Sequence, residues 1–126
     1  MSQVIMQDKN STDEITLSSI INRSITSISI PYGITTIGNY AFAGCTLLAS
    51  ISIPYGITTI NAGAFADCTL LASVTVQSVT PPSLGNGVFS GTSQNLVIYV
   101  PAESVDTYKA ASGWSTYSSK IQAIPA

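Results

Sequence analysis

The sequence predicts a repeat solenoid, with short parallel strands on one face, irregular or 3₁₀ coils on the other and a helical cap at the C-terminus. Three observations predict it. Residues 28–50 and 51–73 are identical at 19 of 23 positions. Each copy opens with an alternating segment, Ile51-Ser52-Ile53-Pro54 in the second, as a strand with one buried face must. After Pro101 the repeat pattern gives way to an amphipathic stretch. A unit this short cannot bury a core singly, so neighbours must stack with their strands side by side, about 4.8 Å apart.

The chain divides into residues 1–23, a degenerate N-terminal edge or cap, residues 24–101, the repeats, and residues 102–126, the C-terminal cap. Ser24-Ile25-Thr26-Ser27 matches the end of a unit, but residues 5–23 preserve little else of one. Strands are predicted at Ile28 to Pro31, Ile51 to Pro54, Val74 to Gln77 and Ile98 to Pro101. Pro31 and Pro54 end their strands by removing a ladder N–H, and Gly33 and Gly56 let the chain turn there. The third unit, from Val74, is degraded, and a one-residue insertion near Pro81-Pro82 restores register by Phe89.

The second half of a unit, Ile57 to Cys68, has apolar residues at Ile57, Ile60, Ala64, Phe65 and Cys68, a spacing that suits a short irregular or 3₁₀ coil on the convex side. Stacking equivalent positions puts Phe42, Phe65 and Phe89 in one interior column and Leu48 and Leu71 in another, at about 1.5–3 kcal/mol per buried side chain. In the cap, Val105, Tyr108 and Ala111 share one face, with Glu103, Asp106 and Lys109 opposite. That pattern predicts a helix of about ten residues stopped by Gly113. Trp114, Tyr117, Ile121 and Ile124 supply apolar area over the last coil, protecting the sheet edge.

Composition excludes several function classes. The 126 residues carry a net charge of −2 and only 8% charged residues, against about 25% in an ordinary soluble domain. Nineteen Ser and 14 Thr do the solvating instead. Lys9, Arg23, Lys109 and Lys120 are scattered, so no phosphate-neutralising patch forms and nucleic acid is excluded as a partner. The longest apolar run is the five residues Leu96 to Val100, far short of the ~20 that span a bilayer, so no membrane insertion is expected. Residues 1–8 show neither a basic region nor a long apolar one, so no secretory signal is expected in this chain. Two cysteines make neither a disulfide framework nor a closed zinc site, and the redox compartment stays open. The chain contains no histidine to activate a serine or thiol, so it is read as not an enzyme, with no cofactor and no metal.

The string I-x-I-P-x-G-I-T-x-I-x-x-x-A-F-x-x-C-x-x-L, present at 28–48 and 51–71, resembles the repeat of the BspA-like leucine-rich repeat family. So does the ending YVPAESVDTYKAASGWSTYSSKIQAI. The resemblance covers residues 24–124 and implies a solenoid of leucine-rich-repeat type. Members are typically surface or secreted proteins of host-associated anaerobic bacteria and of some mucosal protozoa, implicated in adhesion, co-aggregation or invasion. It therefore implies a binding module without an active site, located outside the cell or on its surface.

The outward strand residues form rows. Ser29, Ser52, Thr75 and Tyr99 make one, and Ser27, Ser50 and Ser73 lie beside it, with Tyr32 and Tyr55 flanking. As a ligand surface they would combine adaptable hydrogen bonding with rigid contact area. The plainer reading is of small solvated strand residues and a structural tyrosine stack. Cys45 and Cys68 occupy equivalent places about 5 Å apart, within disulfide reach, but parallel stacking points both Cβ vectors the same way, so buried thiols are expected. Asp8-x-Asn10-x-Thr12 with Asp13-Glu14 has a calcium-loop flavour, yet Asp13 stands where Gly is required and Ser19 where Glu is required, leaving a solvated terminal loop. Glu103 and Asp106 lie on a polar helix face and read as solvation. Asn10-Ser11-Thr12 and Asn22-Arg23-Ser24 fit the glycosylation sequon.

The sequence therefore supports a non-enzymatic cell-surface recognition or adhesion module that binds protein or glycan on host or neighbouring cells through its strand face. The alternative is a structural spacer or assembly domain of a larger surface or virion fibre protein. Near-identical units suit that role equally, because recognition of a specific partner calls for variation among them. Without a true cap at residues 1–23, the first strand would be an exposed edge open to self-association.

Overall fold

A computed structural model describes residues 3–5, 14–15, 25–30 and 33–125. Its strands, in chain order, are β1 (Gln3–Ile5), β2 (Glu14–Ile15), β3 (Ser27–Ser29), β4 (Thr36–Ile37), β5 (Ser50–Ile53), β6 (Thr59–Ile60), β7 (Ser73–Val76), β8 (Ser83–Leu84), β9 (Val97–Val100) and β10 (Ile121–Ala123). Every pairing is parallel, and each joins one unit to the next. Strands β5, β7, β9 and β10 form a four-stranded sheet, while β1 and β3 make a separate pair beside it. Alternation does what the sequence demands. Ile51 and Ile53, Val74 and Val76, and Ile98 and Val100 turn inward and are buried, while the residues between them face out.

Register shows where the units differ in length. Ile53 pairs with Val76, 23 residues on, but Thr59 pairs with Ser83, 24 on. The inserted residue therefore lies between Val76 and Ser83, at the Pro81-Pro82 corner. The ladder runs one bond past its strand where a unit ends in a donor: Gln77 N–H reaches the Ile53 carbonyl at 3.0 Å, and Ile124 N–H the Val100 carbonyl at 2.8 Å. Pro54 and Pro101 hold the equivalent places and have no N–H to give.

The second half of each unit is more ordered than a wholly irregular or 3₁₀ coil. Strands β2, β4, β6 and β8 form a second parallel sheet of two-residue strands. Stacking sets the identical Thr-Ile pairs of β4 and β6 at ladder spacing, with the β-branched Ile37 and Ile60 fully buried, and Glu14-Ile15 and Ser83-Leu84 pair on either side of them. Only after the Thr-Ile dipeptide does the chain become a run of tight turns, Ala41 N–H bonding Gly38, Ala43 Tyr40, and Cys45 Phe42. The intervening amides point to the next unit: Tyr40, Phe42 and Gly44 N–H donate to the carbonyls of Ala62, Ala64 and Ala66 at 2.8–3.0 Å. Gly63, Phe65 and Asp67 repeat the pattern one unit on, donating to Asn86, Val88 and Ser90. This geometry needs a left-handed backbone at two places in each unit. Tyr40, Gly63 and Gly87 occupy the first, with φ of 57°, 65° and 65°. Gly44, Asp67 and Gly91 occupy the second, with φ of 75°, 61° and 76°.

One hydrophobic cluster runs from Ile25 to Ile121. Through it passes the phenylalanine column, Phe42 and Phe65 stacked at 5.2 Å and Phe65 and Phe89 at 5.8 Å, the rings parallel within 5°. Leu48 and Leu71 are fully buried, and Leu96 is buried in the same cluster.

The cap departs from expectation in two ways. Its α-helix, α1 (Val105–Ala110), has six residues after a 3₁₀ turn at Ala102–Ser104, rather than about ten running to Gly113. Ala111 is already extended, and Gly113, at φ 83°, opens a 3₁₀ segment, Trp114–Lys120. Gly113 lies close against β8, where a Cβ would stand 2.9 Å from the Leu84 carbonyl, so this approach needs a glycine. Second, Ile121 does more than cover the last coil. It belongs to β10, which extends the sheet one strand beyond β9.

The cap is latched to the inserted loop by three side-chain bonds: Ser104 Oγ to the Val79 carbonyl at 2.7 Å, Tyr108 Oη to Ser78 at 2.6 Å and Trp114 Nε1 to Pro82 at 2.8 Å. Burial pushes the Tyr108 phenol above its ordinary value of 10.0. Because the folded state favours the neutral phenol, this contribution to stability is fully present below the unfolded value and is lost as pH rises through the folded one. Urea midpoints should therefore fall as pH is raised past about 10, by up to about 1.4 kcal/mol per pH unit for this one proton. Tyr108→Phe should flatten that fall while lowering stability at pH 8 by about 1 kcal/mol through the lost bond to Ser78. Parallel alkaline slopes for the two proteins would refute the assignment.

Candidate functional site

The outward rows assemble on β5, β7 and β9. Ser50 pairs with Ser73, and Ser73 with Val97. Ser52 pairs with Thr75, and Thr75 with Tyr99. Ser50 and Ser52 are exposed, while Ser73, Thr75 and Tyr99 are half-buried. One bond crosses between units on this face, from Gln77 Nε2 to Ser52 Oγ at 3.1 Å. None of these side chains is charged. On β10, Gln122 continues the row beyond Tyr99.

Two predicted members lie on the neighbouring strand pair and one lies outside the described residues. Ser27 and Ser29 belong to β3, whose sheet partner is β1, so they share no ladder with Ser50 and Ser52. Tyr32 lies outside the described residues. Tyr55 is 62% exposed and sits past the end of β5, beside the inserted loop. There, the Tyr55–Thr58 turn and the loop from Ser78 to Ser83 line an open cleft of about 520 Å³.

Sequence reasoning missed this cleft. The insertion was visible as a register shift, but nothing in the string shows which way an added residue pushes a loop. It also missed two exposed leucines, Leu47 and Leu70, which hold equivalent places on successive units. In each Leu-Leu pair the second side chain enters the core, as the column of Leu48 and Leu71 requires, and the first faces out.

Cys45 and Cys68 are buried thiols, with Cys68 Sγ donating to the Phe42 carbonyl at 3.0 Å. Thr92 follows them in the third unit, and its hydroxyl bonds the Phe89 carbonyl at 2.9 Å. The calcium-like residues Asp8 to Asp13 and both sequons lie outside the described residues. Among the described residues no three of His, Cys, Asp or Glu cluster as metal ligands, and no helix is long and apolar enough to cross a membrane. Glu103 and Asp106 are exposed on the outer side of the cap.

Comparison with known families matches residues 10–123 to the BspA type leucine rich repeat region, in six copies. No curated protein matches the chain.

Proposed function

From the premise that this chain belongs to the BspA-type leucine-rich repeat family, we propose that it is a recognition module of the cell surface. Its stacked units act as one small solenoid, working outside the cell and holding a protein or glycan of a host or neighbouring cell on the strand face. The family's repeats are typically non-enzymatic and serve protein interaction or surface display, which supports the class. The observation that carries the face is its chemistry. Ser50, Ser52, Ser73, Thr75 and Tyr99 stand in two adjoining rows fixed by backbone pairing, Gln77 bonds across to Ser52, and together they offer hydroxyls, an amide and a ring with no charge to desolvate.

The test is binding of a size-characterised monomer to a panel of extracellular-matrix proteins and glycans. Ser52→Arg with Thr75→Arg sets two cations on directly paired positions, and should weaken a saturable interaction by about tenfold or more. Unchanged affinity in a variant that still melts cooperatively would remove the strand face from the proposal.

One observation favours a second reading as a spacer or assembly domain. All four differences between the near-identical units fall at 38–40 and 44 and their equivalents, within the turns after β4 and β6, so residues 28–50 and 51–73 present the same strand-face residues. Under this reading the panel stays silent and the chain associates end to end through its edge strands, which sedimentation at increasing concentration would reveal.

A further inference from the structure

We propose that the cleft between the Tyr55 turn and the inserted loop is a separate binding site, and that it takes a neutral sugar, one or two rings of an uncharged glycan. The cleft exists because the third unit is longer. Five residues connect Ile53 to Thr59, but six connect Val76 to Ser83, and the surplus bows out to face Tyr55.

Its wall is rigid before any ligand arrives. Pro81 and Pro82 hold their φ angles fixed, and the cap's three bonds occupy the carbonyls of Ser78, Val79 and Pro82. Opposite, Tyr55 stands between Pro54, which is buried, and Gly56, whose φ is 92°. A volume of about 520 Å³ falls within the range of about 300–1,000 Å³ usual for small-ligand sites, and the cleft is open to solvent.

The lining specifies the chemistry. Tyr55, Val79 and Pro81 give apolar surface, Thr58, Thr80 and Ser83 give hydroxyls, and no charged residue lines the cleft. A pyranose has that same division, with a face of C–H bonds and a rim of hydroxyls. Tyr55 supplies a ring for the face, and the threonines and serine supply partners for the rim. An anionic sugar would be desolvated here with no cation to meet it.

The site does not depend on the strand-face reading. Tyr55→Ala leaves the rows intact, and Ser52→Arg with Thr75→Arg leaves the cleft residues intact, so failure of one proposal is distinguishable from failure of the other. NMR titration of the full chain with maltose, cellobiose, lactose and mannobiose should give saturable shifts confined to Tyr55–Thr58 and Ser78–Ser83 for at least one of them. Affinity should drop by about tenfold or more in Tyr55→Ala and persist in Tyr55→Trp, because the ring is the platform. Thr80→Arg, on the opposite wall, should also abolish it. The proposal is overturned if all four sugars leave these resonances unmoved, or if Tyr55→Ala binds as the native chain does. It is equally overturned if 3′-sialyllactose or a tetraproline peptide occupies the cleft in preference to every neutral disaccharide.

Discussion

Phe65→Ala is expected to lower the unfolding free energy by about 3–5 kcal/mol, a large share of the 5–15 kcal/mol that holds a domain folded. Phe65 is fully buried and is the ring with phenylalanine on both sides, at 5.2 and 5.8 Å. Truncation removes its own burial and both stacking contacts, and the hole sits where neighbours are least able to close it. The backbone around it is committed on both sides: Phe65 N–H bonds Val88 of the next unit, and the carbonyl of adjacent Ala64 accepts Phe42 N–H from the one before. Phe65→Leu, which keeps most of the volume, should cost less than half as much. Urea unfolding of the two variants checks the pair, and a loss below about 2 kcal/mol for the alanine would mean that the units relax into the space.

Trp114→Ala is expected to have an effect of similar size but a different reach. The indole is fully buried, contacts Phe89 at 6.4 Å and Tyr108 at 5.0 Å, and donates to Pro82 at 2.8 Å. Its removal takes about 3–5 kcal/mol of packing and leaves the Pro82 carbonyl without that donor, at about 1–3 kcal/mol more. In a stack where each unit touches only its neighbours, that loss stays near its end of the molecule. Hydrogen exchange should show amides of β9, β10 and the inserted loop losing protection while β5 and β6 keep theirs. Uniform loss of protection would show that the stack melts as a single block.

The parts of this fold that were legible in the sequence are those that repeat. Ile-Ser-Ile-Pro declares a half-buried strand each time it occurs, and the Phe positions need only the period to be lined up. The second sheet was hidden because Thr-Ile is too short to show an alternation. It forms only when copies of itself lie above and below, a condition that no single unit contains. Ile121 was read as cover because its flanks carry none of the marks of the other strands, although it stands 23 residues after Ile98 and pairs with it. The end of α1 was misplaced because Ala111 and Ser112 would extend a helix comfortably, and nothing in their own side chains marks the change to extended backbone at Ala111. For the candidate site, the serine and threonine rows followed from alternation, whereas the placing of Tyr55 depended on where one inserted residue sends a loop.

The parallel, end-to-end pairing of the units also bears on how such a molecule changes length. A 23-residue segment that begins and ends at the same point of the coil can be copied in tandem within the gene, and the duplicate slots between its parents with every backbone bond already matched. Residues 28–50 and 51–73 look like such a duplication, still little diverged. Copying of that kind stops being neutral at the Pro81-Pro82 corner. A duplicate of that longer unit would bring a second loop, with no cap beside it to receive the carbonyls of Ser78, Val79 and Pro82. Growth by recombination is therefore open upstream of the corner and closed at it, and the cap sits at the end where lengthening would do harm.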